Sequence, residues 1–358
     1  MANILKKGQI LIERYLINDY IAEGGMQQVY AAQDLSFNRI VALKVPKNDS
    51  AERRFERSAR LSARINHSNV AKTLDYFEND GKSFMVEEYI DGIDLGQYRD
   101  KCTIFDPHLA SHILHHLARA IAASHRVGVT HRDLKPSNIM VGKDFAASII
   151  KITDFGIAKM AEEEISKAVE GGDESISTSQ TAVGALPYMA PEMILDSRNT
   201  SPAVDIWSIG ALIYCLLSGE PPYGRGLLAV PRILDADPLE RPSVWNYNRR
   251  FEPLLTDLFR IVVNCIAKDP EKRPTAKELL EQCNQLAYIY SPRESGTIQD
   301  YPVNNWRYGF IRGDDNAKVF FHRQSFFSDS KPKVGMKVVY SKYPGEPYFR
   351  AFPVLPIK

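Results

Sequence analysis

The chain has little that would tie it to a metal cluster, an oxidising compartment or a membrane. Its four cysteines, Cys102, Cys215, Cys265 and Cys283, are too far apart for a C-x-x-C metal pair or a disulfide ladder, and read as reduced thiols. Long hydrophobic runs are missing as well. The longest, IWSIGALIYCLL at 206–217, is too short to span a bilayer and contains Ser and Gly, so it reads as a buried core helix. The first ten residues, MANILKKGQI, lack the apolar stretch of a secretory leader. These absences predict a cytoplasmic protein with no membrane partner. There is no internal repeat, and no excess of either charge: 45 Lys and Arg face 44 Asp and Glu.

The neutral total hides an asymmetry. Residues 291–358 carry 11 Lys and Arg against 6 Asp and Glu, whereas the rest of the chain carries 34 against 38. A basic tail on a mildly acidic body predicts a polyanionic partner for the tail. At 358 residues, there is room for one domain above 250 residues and a second, small one.

Hydrophobic patterning divides the chain in the same way. From Gln9 to Phe84 short β-branched runs such as RIVALKV at 39–45 alternate like strands, broken by one helical stretch at 51–65. From about 95 to 288, helical spacing takes over, as in ASHILHHLARAIAASHRVG at 110–128 with its Gly stop. A strand-rich lobe followed by a helical lobe is an α+β arrangement. AEEEISKAVEGGDESISTSQT at 161–181 is polar and hydroxyl-rich, and reads as a loop. YSPRESGT at 290–297 has linker composition. Short aromatic-rich strands follow, with Gly and Pro breaks. The predicted boundaries are 9–288, a linker at 289–297, and 298–358.

The densest signal is His131-Arg-Asp-Leu-Lys-Pro-Ser-Asn138, followed by Asp154-Phe-Gly156 and Ala190-Pro-Glu192. Upstream, Val41-Ala-Leu-Lys44 follows the Gly-containing turn IAEGGMQQVY at 21–30. DIWSIG at 205–210 and DPEKRPTA at 269–276 come later. The first five of these elements, in one order, resemble the protein-kinase superfamily, and among its members the bacterial, eukaryotic-like Ser/Thr kinases with a Gly-Gly-Met phosphate loop; the two later ones fit as well. The resemblance covers roughly residues 9–288 and implies a bilobal fold using ATP and Mg²⁺. By that resemblance Asp133 accepts the proton of the substrate hydroxyl and Lys135 neutralises the transferring group. Asn138 and Asp154 hold Mg²⁺, and Lys44 grips the α- and β-phosphates. Ile21, Gly24, Val29, Ala42 and Met140 line the nucleotide, with Glu88, Tyr89 and Ile90 as the hinge and Glu87 just before it. Arg273 pairs with Glu192. Ser175, Ser177, Thr178, Ser179 and Thr181 form a hydroxyl cluster placed for regulatory phosphorylation, with Arg132 as a phosphate partner. No residue names the protein substrate.

The pattern is broken in several places. Ala22 and Gln27 replace the first and third glycines of the phosphate loop, and a Gln side chain there is expected to weaken or reshape the phosphate grip. Ala185 stands where the family has a threonine bracing Asp133 and Lys135. Ser58 stands where a helix glutamate pairs with the lysine. The breaks leave open a nucleotide-binding pseudokinase that scaffolds through its tail. Glu56, two positions away, points elsewhere on the helix. Glu87, just before the hinge, is the one carboxylate placed to substitute. Its alternatives are solvent or an arginine such as Arg57. His108, His112, His115 and His116 cluster on one helical face with no cysteine or carboxylate beside them, and read as a packed or solvated face rather than a metal site.

In the tail, Tyr308-Gly-Phe-Ile311 and Val319-Phe-Phe-His322 resemble the paired motifs of cold-shock domains, small all-β OB barrels. Strand alternation puts Tyr308, Phe310, Phe320 and His322 on one face, with Ile311 and Phe321 inward. Aromatics on a basic face suit stacking of single-stranded RNA or DNA. Asp300 and Tyr301 depart from the Trp and Phe of that family, and one extra residue precedes Tyr308. The competing expectation is an OB-like domain that contacts a protein, or docks on the kinase lobe itself.

Overall fold

The computed structural model describes residues 3–24, 27–102, 104–155, 184–196, 200–242, 245, 249–328 (except 306) and 330–357. For residues 49–54 and 305 it describes the backbone alone. The hydroxyl cluster from Ser175 to Thr181 lies outside the described residues.

The amino-terminal lobe is a six-stranded sheet ordered β1-β2-β3-β4-β6-β5. Its strands are β1 (Ile10–Leu11), β2 (Tyr15–Glu23), β3 (Gln27–Asp34), β4 (Arg39–Pro46), β5 (Thr73–Asn79) and β6 (Lys82–Glu88). Alternation decides its faces. Tyr30, Ala32, Val41, Leu43, Val45, Phe84 and Val86 bury one face with Tyr15 and Ile17. Val29, Ala31, Ala42, Lys44 and Glu87 share the opposite face. Helix α1 (Asp49–Ser62) leaves β4 and packs Phe55 and Ala59 on Met85 of β6.

The second lobe is helical around one large core. Its described helices are α2 (Leu95–Lys101), α3 (Pro107–Arg126), α4 (Pro191–Leu195), α5 (Ala203–Ser218), α6 (Val230–Asp235), α7 (Glu252–Cys265) and α8 (Ala276–Asn284). The small sheet β7 (Gly92–Asp94), β8 (Ile139–Gly142) and β9 (Ile150–Ile152) lies beside them. Helix α5 is the apolar run of the sequence. It is hydrophobic all round because every side is covered. At Gly210 an added Cβ would sit 2.7 Å from Cys265 Cβ of α7, so glycine is what lets these helices approach. No described helix is long and apolar enough to cross a membrane.

The tail is a closed five-stranded barrel, ordered β10-β11-β12-β14-β13 and consistent with an OB-like domain. The strands are β10 (Glu294–Asp300), β11 (Tyr308–Gly313), β12 (Lys318–His322), β13 (Lys337–Tyr343) and β14 (Phe349–Pro356). The segment read as linker at 289–297 is therefore shorter, because β10 begins at Glu294 and pairs with Tyr340. A bulge between Ile298 and Asp300 takes up one residue of β10. Ile311 and Phe321 are fully buried in the barrel core.

The barrel rests on the helical lobe. Arg293 donates to Asp106 at 2.7 Å, and both side chains are buried. Asp106 also caps α3, accepting from the His108 and Leu109 amides. Phe352 stacks on Phe251 at 5.3 Å, and Phe327 meets Phe251 edge-on. Arg250 covers Phe352. The chain leading into the barrel runs along α3, where Tyr290 stacks on His112 and Tyr288 bonds His115. His116 bonds Asn69. The histidine face is thus mostly packing surface, and burial drops the His112 and His116 pKa values to about 4.

Removing one partner of a buried ion pair strands the other charge, which costs ~3 kcal/mol. Arg293→Ala should therefore lower unfolding free energy by about that much in urea melts and expose the 285–293 segment to protease. A loss under ~0.5 kcal/mol, in the range of an ordinary surface change, would mean that the pair does not hold the dock.

Candidate active site

Three strands and one loop build the cleft. In the β3–β4 ladder Val29 faces Lys44 and Ala31 faces Ala42. In the β4–β6 ladder Lys44 faces Met85 and Ala42 faces Glu87. Glu87 is therefore the diagonal neighbour of Lys44 on the same face, within reach of a long side chain. The Lys44 ammonium lies 2.5 Å from Glu87 Oε2 and 2.9 Å from Asp154 Oδ1. Lys44 and Glu87 are only about 5% and 4% exposed. Burial pulls the Lys44 pKa down, but Asp154 and Glu87 outweigh it and hold the ammonium charged above its usual value. Burial pushes the Glu87 carboxyl up, with Lys44 opposing. Asp154, despite burial, is held below the usual carboxylate range by Lys44 and Gln27.

Among the described residues Ser58 makes no bond to Lys44, whose partners are Glu87 and Asp154. It is fully buried, and its hydroxyl donates to the Phe155 carbonyl. Glu56 pairs with Arg60 at the surface. Helix α1 thus braces the backbone after Asp154 while the carboxylate for Lys44 comes from β6. Neither solvent nor Arg57 takes Glu87.

Gln27, the replacement for a phosphate-loop glycine, donates from Nε2 to Asp154 Oδ1 at 2.7 Å. A bulkier loop residue is all that the phosphate-loop pattern itself signals at this position. Period-two alternation from Val29 places Gln27 on the cleft face, but the span to Asp154 is set by how the lobes pack.

The loop from His131 to Asn138 is held from below. Asp205 of α5, fully buried, accepts the His131 amide at 2.8 Å, the Arg132 amide at 2.7 Å and His125 Nε2 at 2.8 Å. These bonds fasten Arg132 in a left-handed conformation, φ 68°. Such a backbone costs about 1–3 kcal/mol and needs that support. His131 Nε2 bonds the Thr153 carbonyl and its Nδ1 accepts the Asp133 amide, tying this loop to the Asp154 segment. Asp154 is also left-handed, φ 62°. Lys135 lies 2.8 Å from Asp133, and Asn138 Nδ2 donates to the Asp133 carbonyl and carboxylate. Ala185 is buried, and Asp133 and Lys135 meet without a threonine between them. Arg273 grips Glu192 with two bonds, at 2.6 and 2.9 Å.

The other lining residues spread along the cleft. Val29, Ala42, Ile90 and Met140 are half-buried, and Gly24 and Ile21 are exposed at its lip. Glu88 turns to Lys151, 2.8 Å away.

A protein kinase domain model matches residues 15–283. The chain belongs to the protein kinase domain family. It is 32% identical over 332 residues to the serine/threonine-protein kinase PknB of Mycolicibacterium smegmatis, covering 82% of this chain and 50% of that protein. It is also 32% identical over 285 residues to PknB of Mycobacterium tuberculosis, covering 75% and 42%. A probable PknB of Lactococcus lactis matches at 32% over 281 residues, covering 77% and 42%. The chain spans half or less of the length of these curated relatives.

If Glu87 holds Lys44, Glu87→Gln, which keeps shape and removes charge, should lower kcat/KM for ATP by roughly tenfold, ~1.4 kcal/mol. Ser58→Glu should restore part of that loss when combined with Glu87→Gln, yet help little alone, where a second carboxylate repels the first. A kinetically silent Glu87→Gln, or strong activation by Ser58→Glu alone, contradicts the assignment.

Proposed function

We propose that this chain is an active Ser/Thr protein kinase that transfers the γ-phosphate of ATP to protein hydroxyls, its own included. The observation carrying this reading is the joined geometry of Asp133, Lys135 and Asn138 on one loop and Asp154 and Lys44 across the cleft. The protein kinase family uses ATP and a divalent metal, and the donor set here suits Mg²⁺. Asp154 and Asn138 offer carboxylate and amide oxygens, the ligands that hard cations prefer. The bound cation would neutralise phosphate charge during transfer. Asp133 orients the substrate hydroxyl and takes its proton, and Lys135 supplies positive charge beside it. Lys44, kept charged by its two carboxylates, holds the α- and β-phosphates. The pseudokinase alternative draws on Ser58, Gln27 and Ala185, but each of these positions has a structural partner or a packed environment in place of the missing group.

The tail adds a second role in this reading, binding of single-stranded RNA or DNA. Tyr308 lies opposite His322, and Phe310 opposite Phe320. Tyr308 and Phe320 are 5.3 Å apart and Phe310 and Phe320 6.0 Å. Tyr348, which the motif reading missed, packs on Phe310 at 5.0 Å, with the Lys318 ammonium 4.2 Å from the Phe310 ring. These side chains form a half-exposed aromatic face with cations at its edge, on a barrel anchored elsewhere by Phe327 and Phe352.

Asp133→Asn should reduce transfer by ~10²–10⁴-fold with the fold intact, as loss of a general base does. Mass spectrometry of wild type should find phosphate among Ser175, Ser177, Thr178, Ser179 and Thr181, absent in that variant. Equal residual activity in the two proteins would remove Asp133 from the mechanism.

For the tail, the full chain should bind a single-stranded oligonucleotide more weakly as salt rises. Tyr308→Ala and Phe310→Ala should each cost ~1–3 kcal/mol of that affinity. No binding at low salt would refute a nucleic-acid role.

A further inference from the structure

Gln27 has one atom that its bond to Asp154 does not explain. The side chain begins β3, is only 7% exposed, and sits diagonally from Lys44 on the cleft face of the sheet. Its nitrogen and the Lys44 ammonium donate to the same oxygen of Asp154. Its carbonyl oxygen, Oε1, is buried with no hydrogen-bond partner among the described residues. Amide oxygens are rarely buried unpaired, and one that is calls for a reason. An amide oxygen beside a carboxylate is a ligand pair for a hard divalent cation.

We propose that Gln27 completes the divalent-cation site from the roof of the cleft, its nitrogen positioning Asp154 and its carbonyl oxygen serving as an added cation ligand. The proposal rests on the reading of Asp154 as a cation-binding residue. It turns an apparent defect of the phosphate loop into a gain: the glycine that would let backbone amides approach phosphate is exchanged for a side chain that supports the cation.

The test is Mn²⁺ binding to the full chain, followed by electron paramagnetic resonance in the presence of a non-hydrolysable ATP analogue. Affinity for the analogue in EDTA serves as the control for fold. Gln27→Leu should weaken Mn²⁺ binding about tenfold, as loss of a supporting group does, a larger change than it makes to metal-free nucleotide affinity. Gln27→Glu, which keeps an oxygen and loses the donor, should bind Mn²⁺ at least as tightly as wild type. Wild-type Mn²⁺ affinity in Gln27→Leu overturns the proposal. Equal weakening in Gln27→Leu and Gln27→Glu overturns the ligand role, because the nitrogen alone would then matter. Asp154→Ala with wild-type Mn²⁺ affinity would instead overturn the underlying reading of Asp154.

Discussion

A buried ammonium must be matched, and the cleft of this protein is arranged around matching Lys44. In a low-dielectric site an unpaired charge costs several kcal/mol, so its partners are a condition for the site to exist. Glu87 and Asp154 supply them from different lobes: Glu87 from β6, two residues along from the Met85 that packs under α1, and Asp154 from the floor. Because Glu87 comes from the sheet, the Lys44 grip is built into the strand register and does not depend on where α1 sits. The helix is left with a different task, bonding the Phe155 carbonyl through Ser58.

The same economy appears below the cleft. One carboxylate, Asp205, holds two backbone amides and a histidine, and so supports the left-handed Arg132. His131 then links the catalytic loop to Thr153, next to Asp154. Asp106 likewise serves twice, as cap of α3 and as anchor of the barrel through Arg293. The aromatic dock of Phe251, Phe327 and Phe352 faces the helical lobe, leaving Tyr308, Phe310 and Phe320 on a separate, partly open face.

Much of this was legible in the chain. The place of Glu87 just before the hinge, on a strand next to Lys44, pointed to it as the partner of the lysine, and the motif spacing singled out Asp133, Asn138 and Asp154. The apolar run at 206–217 announced a buried helix because no polar stripe interrupts it. Other features were hidden for physical reasons. The reach of Gln27 to Asp154 depends on the distance between lobes, which no local pattern encodes. Tyr348 joins Phe310 across a non-sequential strand order, and Arg293 meets Asp106 from the far end of the chain. The first half of β10 was hidden because ESGT at 294–297 reads as linker by composition, while its pairing with β13 makes it strand.

The central claim is that Lys44 and Glu87 are energetically one unit. A double-mutant cycle on unfolding free energy, with Lys44→Met, Glu87→Gln and both together, measures that coupling directly by urea melts. The account predicts strong non-additivity of ~1–3 kcal/mol, the double variant being more stable than the sum of the single losses requires. Additive losses, with a coupling near zero, would contradict it.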